Sequence, residues 1–120
     1  MPKKRNNTAL GSSGENFAIK LLTKNNFKVI DKNYRLPYGE IDLIATKFDT
    51  LYFVEVKTRS SDRYGLPEEA VTKYKIARIK KAAYTYIQDN NNLPDKHMIL
   101  VVAIIANNGI VESSKIIEVG

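Results

Sequence analysis

The stretch GEIDLIATKFDTLYFVEVKTR, Gly39 to Arg59, restricts what this chain can become more than any other part of it. Its halves, GEIDLIAT and LYFVEVKT, are rich in β-branched, aromatic and aliphatic residues and flank a polar bend near Phe48, Asp49 and Thr50. That pattern predicts two strands joined as a hairpin. With Phe48 and Asp49 at the tip, Lys47 faces Thr50, and stepping back along the pair sets Asp42 opposite Glu55 and Glu40 opposite Lys57. Side chains alternate along a strand, so Glu55 and Lys57 share one face while Val54 and Val56 take the other.

Two carboxylates directly opposite on adjacent strands repel, and partial burial makes it costlier to keep both ionised. A divalent cation relieves the conflict, because Mg2+ takes oxygen ligands and is commonly held by one or two carboxylates with water and substrate phosphate. Lys57 then adjoins the metal, placed to orient or help deprotonate a water, or to stabilise charge on a phosphate. The competing reading is a plain solvent-facing alternation at Glu55 and Lys57, against which stands the apolar character of the rest of the strand.

The order Asp42, twelve residues, Glu55, one residue, Lys57 resembles the motif of the PD-(D/E)xK nuclease superfamily. The ordered blocks GEIDLIA, FVEVKTR and YGLPEEAV, followed by a basic helix, narrow the resemblance to the small bacterial family UPF0102, or YraN-like, related by fold to archaeal Holliday-junction resolvases. The resemblance runs from about Gly11 to Ile105. It implies an α/β fold of the restriction-endonuclease-like kind, a mixed sheet flanked by helices with an αβββαβ core. It also implies Mg2+ or Mn2+ on Asp42, Glu55 and the Val56 carbonyl, with Lys57 in a catalytic role and a first-helix glutamate, Glu15, brought toward the metal. Resolvases that cut two strands act as symmetric dimers, so a homodimer is a further expectation from the resemblance. One departure falls at Met98, Ile99 and Leu100, where the family pattern commonly has an Arg-aromatic-Asp entry; it leaves the metal ligands untouched.

Composition narrows the chemistry independently. There is no cysteine and a single histidine, His97, so disulfide frameworks, thiolate zinc sites and cysteine nucleophiles are excluded and oxygen-ligand chemistry remains. The net charge of +6 and pI near 9.5 favour a polyanionic partner. Nucleic acid suits this charge better than a membrane surface, since no helix pairs a basic face with a large apolar one, and the nuclease resemblance puts DNA ahead of RNA. The longest apolar run, Met98 to Ala106, is too short to span a bilayer, and no apolar segment follows the basic start MPKKRNNT as it would in a signal peptide. A cytoplasmic location is expected.

In chain order, residues 1–10 are expected to form a flexible basic arm and residues 11–120 a single nuclease-like domain. A first helix is predicted from Ser12 or Ser13 to about Asn25, with Ser12 and Glu15 at capping-box spacing. Glu15 therefore has two competing roles, helix cap and metal-site acid. Phe27 to Tyr34 reads as the first strand; Arg35 after it suits either a phosphate or a salt bridge to Glu40. Thr58 to Leu66 reads as a polar loop closing over substrate, with Arg59 and Arg63 on backbone phosphates and Tyr64 either stacking on an unpaired base or packing inward. A second helix is predicted from Pro67 to about Gln88, with Glu68 and Glu69 in its first turn and Tyr74, Ile79, Ala82, Ala83 and Tyr86 on its core side. Its cations Lys73, Lys75, Arg78, Lys80 and Lys81 suit a phosphate-tracking stripe or a solvated face. Lys75 matches a recurrent family lysine, and Lys75 and Arg78 are the pair expected at the site.

Met98 to Ala106 reads as a central strand, apolar on both faces and joined in parallel to the hairpin by the helical crossover. Asn108 and Gly109 mark a hairpin turn, and Ile110 to Val119 one or two closing strands. The leading functional expectation is a metal-dependent endonuclease acting on DNA, with branched or repair intermediates as the narrower class. The alternative is a non-catalytic nucleic-acid-binding module on the same fold; a third, resting on charge alone, is an assembly factor for an RNA-containing complex.

Overall fold

Alternating and continuous apolar runs in the sequence become five strands of one mixed sheet. The computed structural model describes residues 5–60 and 65–120. In chain order its elements are α1 (Arg5–Lys24), β1 (Lys28–Leu36), β2 (Gly39–Lys47), β3 (Thr50–Arg59), a one-turn 3-10 helix (Pro67–Ala70), α2 (Lys73–Asp89), β4 (Lys96–Asn107) and β5 (Ile110–Glu118). The strands lie in sequence order across the sheet. β1, β2 and β3 form an antiparallel meander, α2 carries the chain to β4 in parallel with β3, and β5 returns antiparallel. This α/β architecture, a five-stranded mixed sheet with two helices, is compatible with the restriction-endonuclease-like fold that the resemblance implied.

β4, an interior strand between β3 and β5, is buried where its sequence is apolar on both faces: Ile99, Leu100, Val101, Val102, Ala103 and Ile104 are each at most 5% exposed. Two apolar layers cover the sheet. On one side Ala18 and Leu22 of α1 meet Leu43, Ala45, Val54, Val102 and Ile104. On the other, Ile79, Ala82, Ala83 and Tyr86 of α2 meet Ile44, Leu51, Phe53 and Ile99. Tyr86 anchors that second layer through edge-to-face contacts with Tyr34 and Phe53, at 5.1 and 6.2 Å between ring centres, an arrangement that suits the ring quadrupoles.

Helix ends account for most differences from the predicted boundaries. α1 begins at Arg5, so Ser12 and Ser13 fall inside the helix and do not mark its start. Its other end falls where Asn25 and Asn26 placed it: Asn26 takes a φ of 71° and the Phe27 amide reaches back to the Leu22 carbonyl at 3.0 Å, closing the helix with a left-handed residue. The second helix is split. Pro67, Glu68 and Glu69 form the separate 3-10 turn, and α2 starts six residues later behind Thr72, whose Oγ1 accepts from the Lys75 amide at 3.2 Å. Glu68 consequently serves no α2 terminus and instead accepts from Lys115 Nζ of β5 at 2.8 Å.

Both hairpin turns that the sequence marked are present. Asn108 and Gly109 have φ of 53° and 80°, the doubly left-handed geometry that matches strand twist. At the other tip Lys47 pairs with Thr50, and Phe48 takes a φ of 55° while standing 90% exposed. The single strand β5 completes the sheet. Among the described residues no helix is long and apolar enough to cross a membrane.

Candidate active site

The β2–β3 ladder follows the predicted register from Lys47↔Thr50 to Leu43↔Val54 and then ends. Beyond it the strands part. Gly39 lies so close to α2 that a Cβ there would fall onto the Arg78 carbonyl oxygen, and Ile41 packs into the α2 layer although Leu43 and Ala45, on the same alternation, pack under α1. The first residues of β2 are thus drawn toward α2 and away from β3. Because the ladder stops at Leu43↔Val54, neither of the expected oppositions, Asp42 to Glu55 and Glu40 to Lys57, is a ladder pair; on its other side Glu40 pairs with Arg35 of β1.

Asp42 sits at the point of parting. Its Oδ2 accepts from the Val56 amide at 2.8 Å, a bond that a β2 carbonyl would have made had the ladder continued. The amide and carbonyl of one strand residue project to the same side, so the Val56 carbonyl also looks into this gap. Glu55 precedes it and is only 7% exposed. Its Oε2 accepts from Lys75 Nζ at 3.1 Å, placing a cation from the first turn of α2 on a buried carboxylate. Glu40, Glu55, Lys75, Arg78 and Ile79 line a cleft of about 130 Å³ beside this pair.

Charge is crowded here. Burial pushes the Asp42 carboxyl up to about 7, the neighbouring charge of Glu55 pushes in the same direction, the Val56 amide opposes it, and Glu15 and Glu40 contribute smaller repulsions. A hard divalent cation fits such a donor set, since Asp42, Glu55 and the Val56 carbonyl all offer oxygen and the repulsion that lifts Asp42 is of the sign a cation removes. Among the described residues no three His, Cys, Asp or Glu side chains gather closely enough to enclose a metal by themselves. Water or a substrate phosphate would have to complete its coordination, the usual habit of Mg2+.

The remaining sequence candidates divide by place. Glu15, on α1, is near enough to act on Asp42 electrostatically. Lys57 follows Val56 on β3 and is half-buried. Arg35 is exposed and ion-paired with Glu40 at 3.6 Å, one of its two expected roles. Arg59, the last residue of β3, lines a different cavity of about 610 Å³ on the α1 side, together with Phe17, Lys20 and Val111. Arg63 and Tyr64 lie outside the described residues. Glu40 reaches the cleft although it was not among the predicted site residues; its place two residues before Asp42 on a strand was the available signal. Tyr74, expected in the core, is instead 71% exposed, because within α2 it stands five residues, about 140° around the helix, from the buried Ile79.

The sequence model of the family described as "Uncharacterised protein family UPF0102" matches residues 14–105. The chain belongs to UPF0102. That match takes in β1 to β3, α2 and most of β4, and so every residue of the parted-strand site. A UPF0102 protein of Syntrophomonas wolfei is 43% identical over 103 residues, covering 86% of this chain and 90% of its own. A UPF0102 protein of Dictyoglomus thermophilum is 49% identical over 82 residues, or 68% of this chain and 70% of its own, and one of Rhodococcus jostii is 44% identical over 103 residues, covering 86% and 87%.

Proposed function

We propose that this UPF0102 chain is a metal-dependent nuclease of the PD-(D/E)xK kind, hydrolysing phosphodiester bonds in DNA, with branched or repair intermediates as its substrates. The observation that carries this reading is the Asp42 carboxyl set into the gap between β2 and β3, beside the buried Glu55 and raised to about 7. Asp42, Glu55 and the Val56 carbonyl would hold Mg2+ or Mn2+, which supplies Lewis-acid polarisation of the scissile phosphate and a water of lowered pKa. Lys57, on the strand just beyond, orients that water or offsets charge developing on the phosphate. Lys75 neutralises Glu55, and Arg78 on the cleft wall offers a fork for a phosphate oxygen. Glu15 acts from α1 through its charge on Asp42. A homodimer, in which two such sites address two strands, belongs to the same reading.

A second reading is favoured by one feature: Lys75 already holds Glu55 at 3.1 Å, as a retired site would be neutralised. On that reading the chain is a non-catalytic nucleic-acid-binding module on an inherited fold. Incubating the purified protein with labelled single-stranded, duplex, flapped and four-way DNA and structured RNA, with Mg2+, Mn2+ or chelator, separates the two. Metal-dependent cutting that Asp42→Asn abolishes, with binding kept or strengthened, is the expected result. A folded protein that binds the panel and cuts nothing belongs to the second reading.

A further inference from the structure

α2 presents to solvent a surface that neither the core nor the cleft uses. Tyr74 and Tyr84 are 71% and 66% exposed, and between them Ala77, Lys80 and Lys81 are exposed as well. From the β1–β2 turn, Tyr38 adds a third ring, 44% exposed, fixed by a hydrogen bond of 2.8 Å between its hydroxyl and Thr85 Oγ1. Tyr38, Lys80, Lys81 and Tyr84 border a shallow cleft of about 520 Å³. At the other end Arg78 stands 5.9 Å from the Tyr74 ring centre and also lines the Glu55 cleft. The tyrosine surface therefore runs directly into the candidate site.

We infer that the outer face of α2 binds a single strand of nucleic acid, with unpaired bases stacked on Tyr84 and Tyr74 and backbone phosphates on Lys80, Lys81 and Arg78. The inference rests on the nucleic-acid reading of the same site and adds the substrate class: a strand with unpaired bases next to the scissile phosphate, as in a flap or branch. Exposed aromatic rings interleaved with cations are the usual platform for single strands, since every base has a face to stack. A duplex covers those faces and leaves such rings without a partner. The ten steps from Tyr74 to Tyr84 span about 15 Å of helix, enough for a few nucleotides. A second copy of the chain is a poorer occupant, because an isologous contact here would set the same run of cations against itself.

The test is anisotropy of a short labelled oligodeoxythymidine and of a duplex of equal length, both in chelator so that no cleavage intervenes. Tyr84→Ala combined with Tyr74→Ala should weaken single-strand binding about ten-fold or more while shifting duplex binding less than about two-fold. Tyr84→Phe should retain single-strand binding, and Lys80→Gln with Lys81→Gln should reduce the salt dependence by roughly one in slope for each phosphate contact removed. Unchanged oligodeoxythymidine binding in the tyrosine variant, or an equal loss on duplex, overturns the inference, as does a dimer in sedimentation that the tyrosine substitutions dissociate. The outcomes also separate this inference from the nuclease reading. A protein that binds through its tyrosines but never cuts loses only the catalytic claim; one that cuts with Tyr84→Ala and Tyr74→Ala indifferent to single strands loses only the platform.

Discussion

Raising a carboxyl from its ordinary 3.8 to about 7 ties the stability of this protein to pH in a direction opposite to that of most paired acids. Between those values the folded state holds a proton at Asp42 that the unfolded chain has released, so the folded state binds more protons and stability falls as pH rises. The contribution is complete below about pH 4 and lost above about pH 7. One proton of difference costs about 1.4 kcal/mol for every pH unit crossed, so the whole loss is roughly 4 kcal/mol, a large share of a small domain's stability. Other perturbed groups act elsewhere. Asp49, held low by its hydrogen bonds to Lys96 and Thr50, and Glu68, held low by Lys115, contribute stability that is lost only as pH drops below about 4. Tyr34 and Tyr86, raised by burial above 10, act only in strong alkali.

Asp42→Asn isolates the effect. The amide oxygen can still accept from the Val56 amide, and the repulsion with Glu55, Glu15 and Glu40 is gone. Urea unfolding in chelator, followed by tyrosine fluorescence at low salt, should find the wild type losing several kcal/mol between about pH 5 and pH 8 and the variant nearly level over that range. Near pH 8 the variant should be the more stable of the two by about 2–3 kcal/mol, somewhat less than the full linkage because a neutral acceptor makes a weaker bond. Wild-type stability that stays level or rises toward pH 8, or a variant with the same slope, would refute this account of the site.

Two further outcomes follow from single contacts. Phe48→Gly should stabilise the hairpin by about 1 kcal/mol in the same urea assay, because the bulky residue holds a left-handed φ of 55° at a cost that glycine does not bear, and its exposed ring leaves little packing to lose; a destabilised variant would mean that the ring's approach to Lys47, 5.9 Å away, outweighs the backbone. Lys75→Met should cost about 1–2 kcal/mol in chelator near pH 8, since it leaves the buried Glu55 charge without its cation while half of Lys75 was in water to begin with, and millimolar Mn2+ should recover most of that loss in a thermal melt; no recovery by Mn2+ would count against Glu55 as a metal ligand.

What the sequence made legible here was what local pattern decides. The bend at Phe48 and Asp49 fixed the hairpin register as far as Leu43↔Val54, the continuous apolar run marked β4 as an interior strand covered on both faces, one place from the sheet's centre, and the length of the α2 crossover made the β3–β4 pairing parallel. Where the ladder stops was not legible. It depends on Gly39 lying against the Arg78 backbone, a contact between segments far apart in sequence that no strand pattern encodes. Helix starts failed for a related reason. Ser12 and Glu15 have the spacing of a cap, but a capping signature marks a helix start only if the preceding residues do not extend the helix, and here they do. Pro67 with two glutamates resembles a helix start equally well, and it does begin a turn; the turn ends before Thr72 caps the true helix, so Ala70 and Val71, which would share a face with Tyr74 in one continuous helix, lie outside α2, and Tyr74 is off the stripe of Ile79, Ala82, Ala83 and Tyr86.

The parted strands explain why acids recur at this place in the chain. Ending a β-ladder early leaves the Val56 amide without a strand partner, and a buried unpaired amide costs about as much as a lost hydrogen bond. A carboxylate at Asp42 satisfies that amide at 2.8 Å, but the solution brings a negative charge beside Glu55, and Glu55 in turn is matched by Lys75 from α2. Among the described residues Lys75 pairs with Glu55 alone, so burial first and then the charge of Glu55 raise Asp42. An asparagine would satisfy the amide without the charge. The carboxylate is therefore a poor choice for stability and a fitting one for holding a cation against a phosphate, as expected where function and folding conflict.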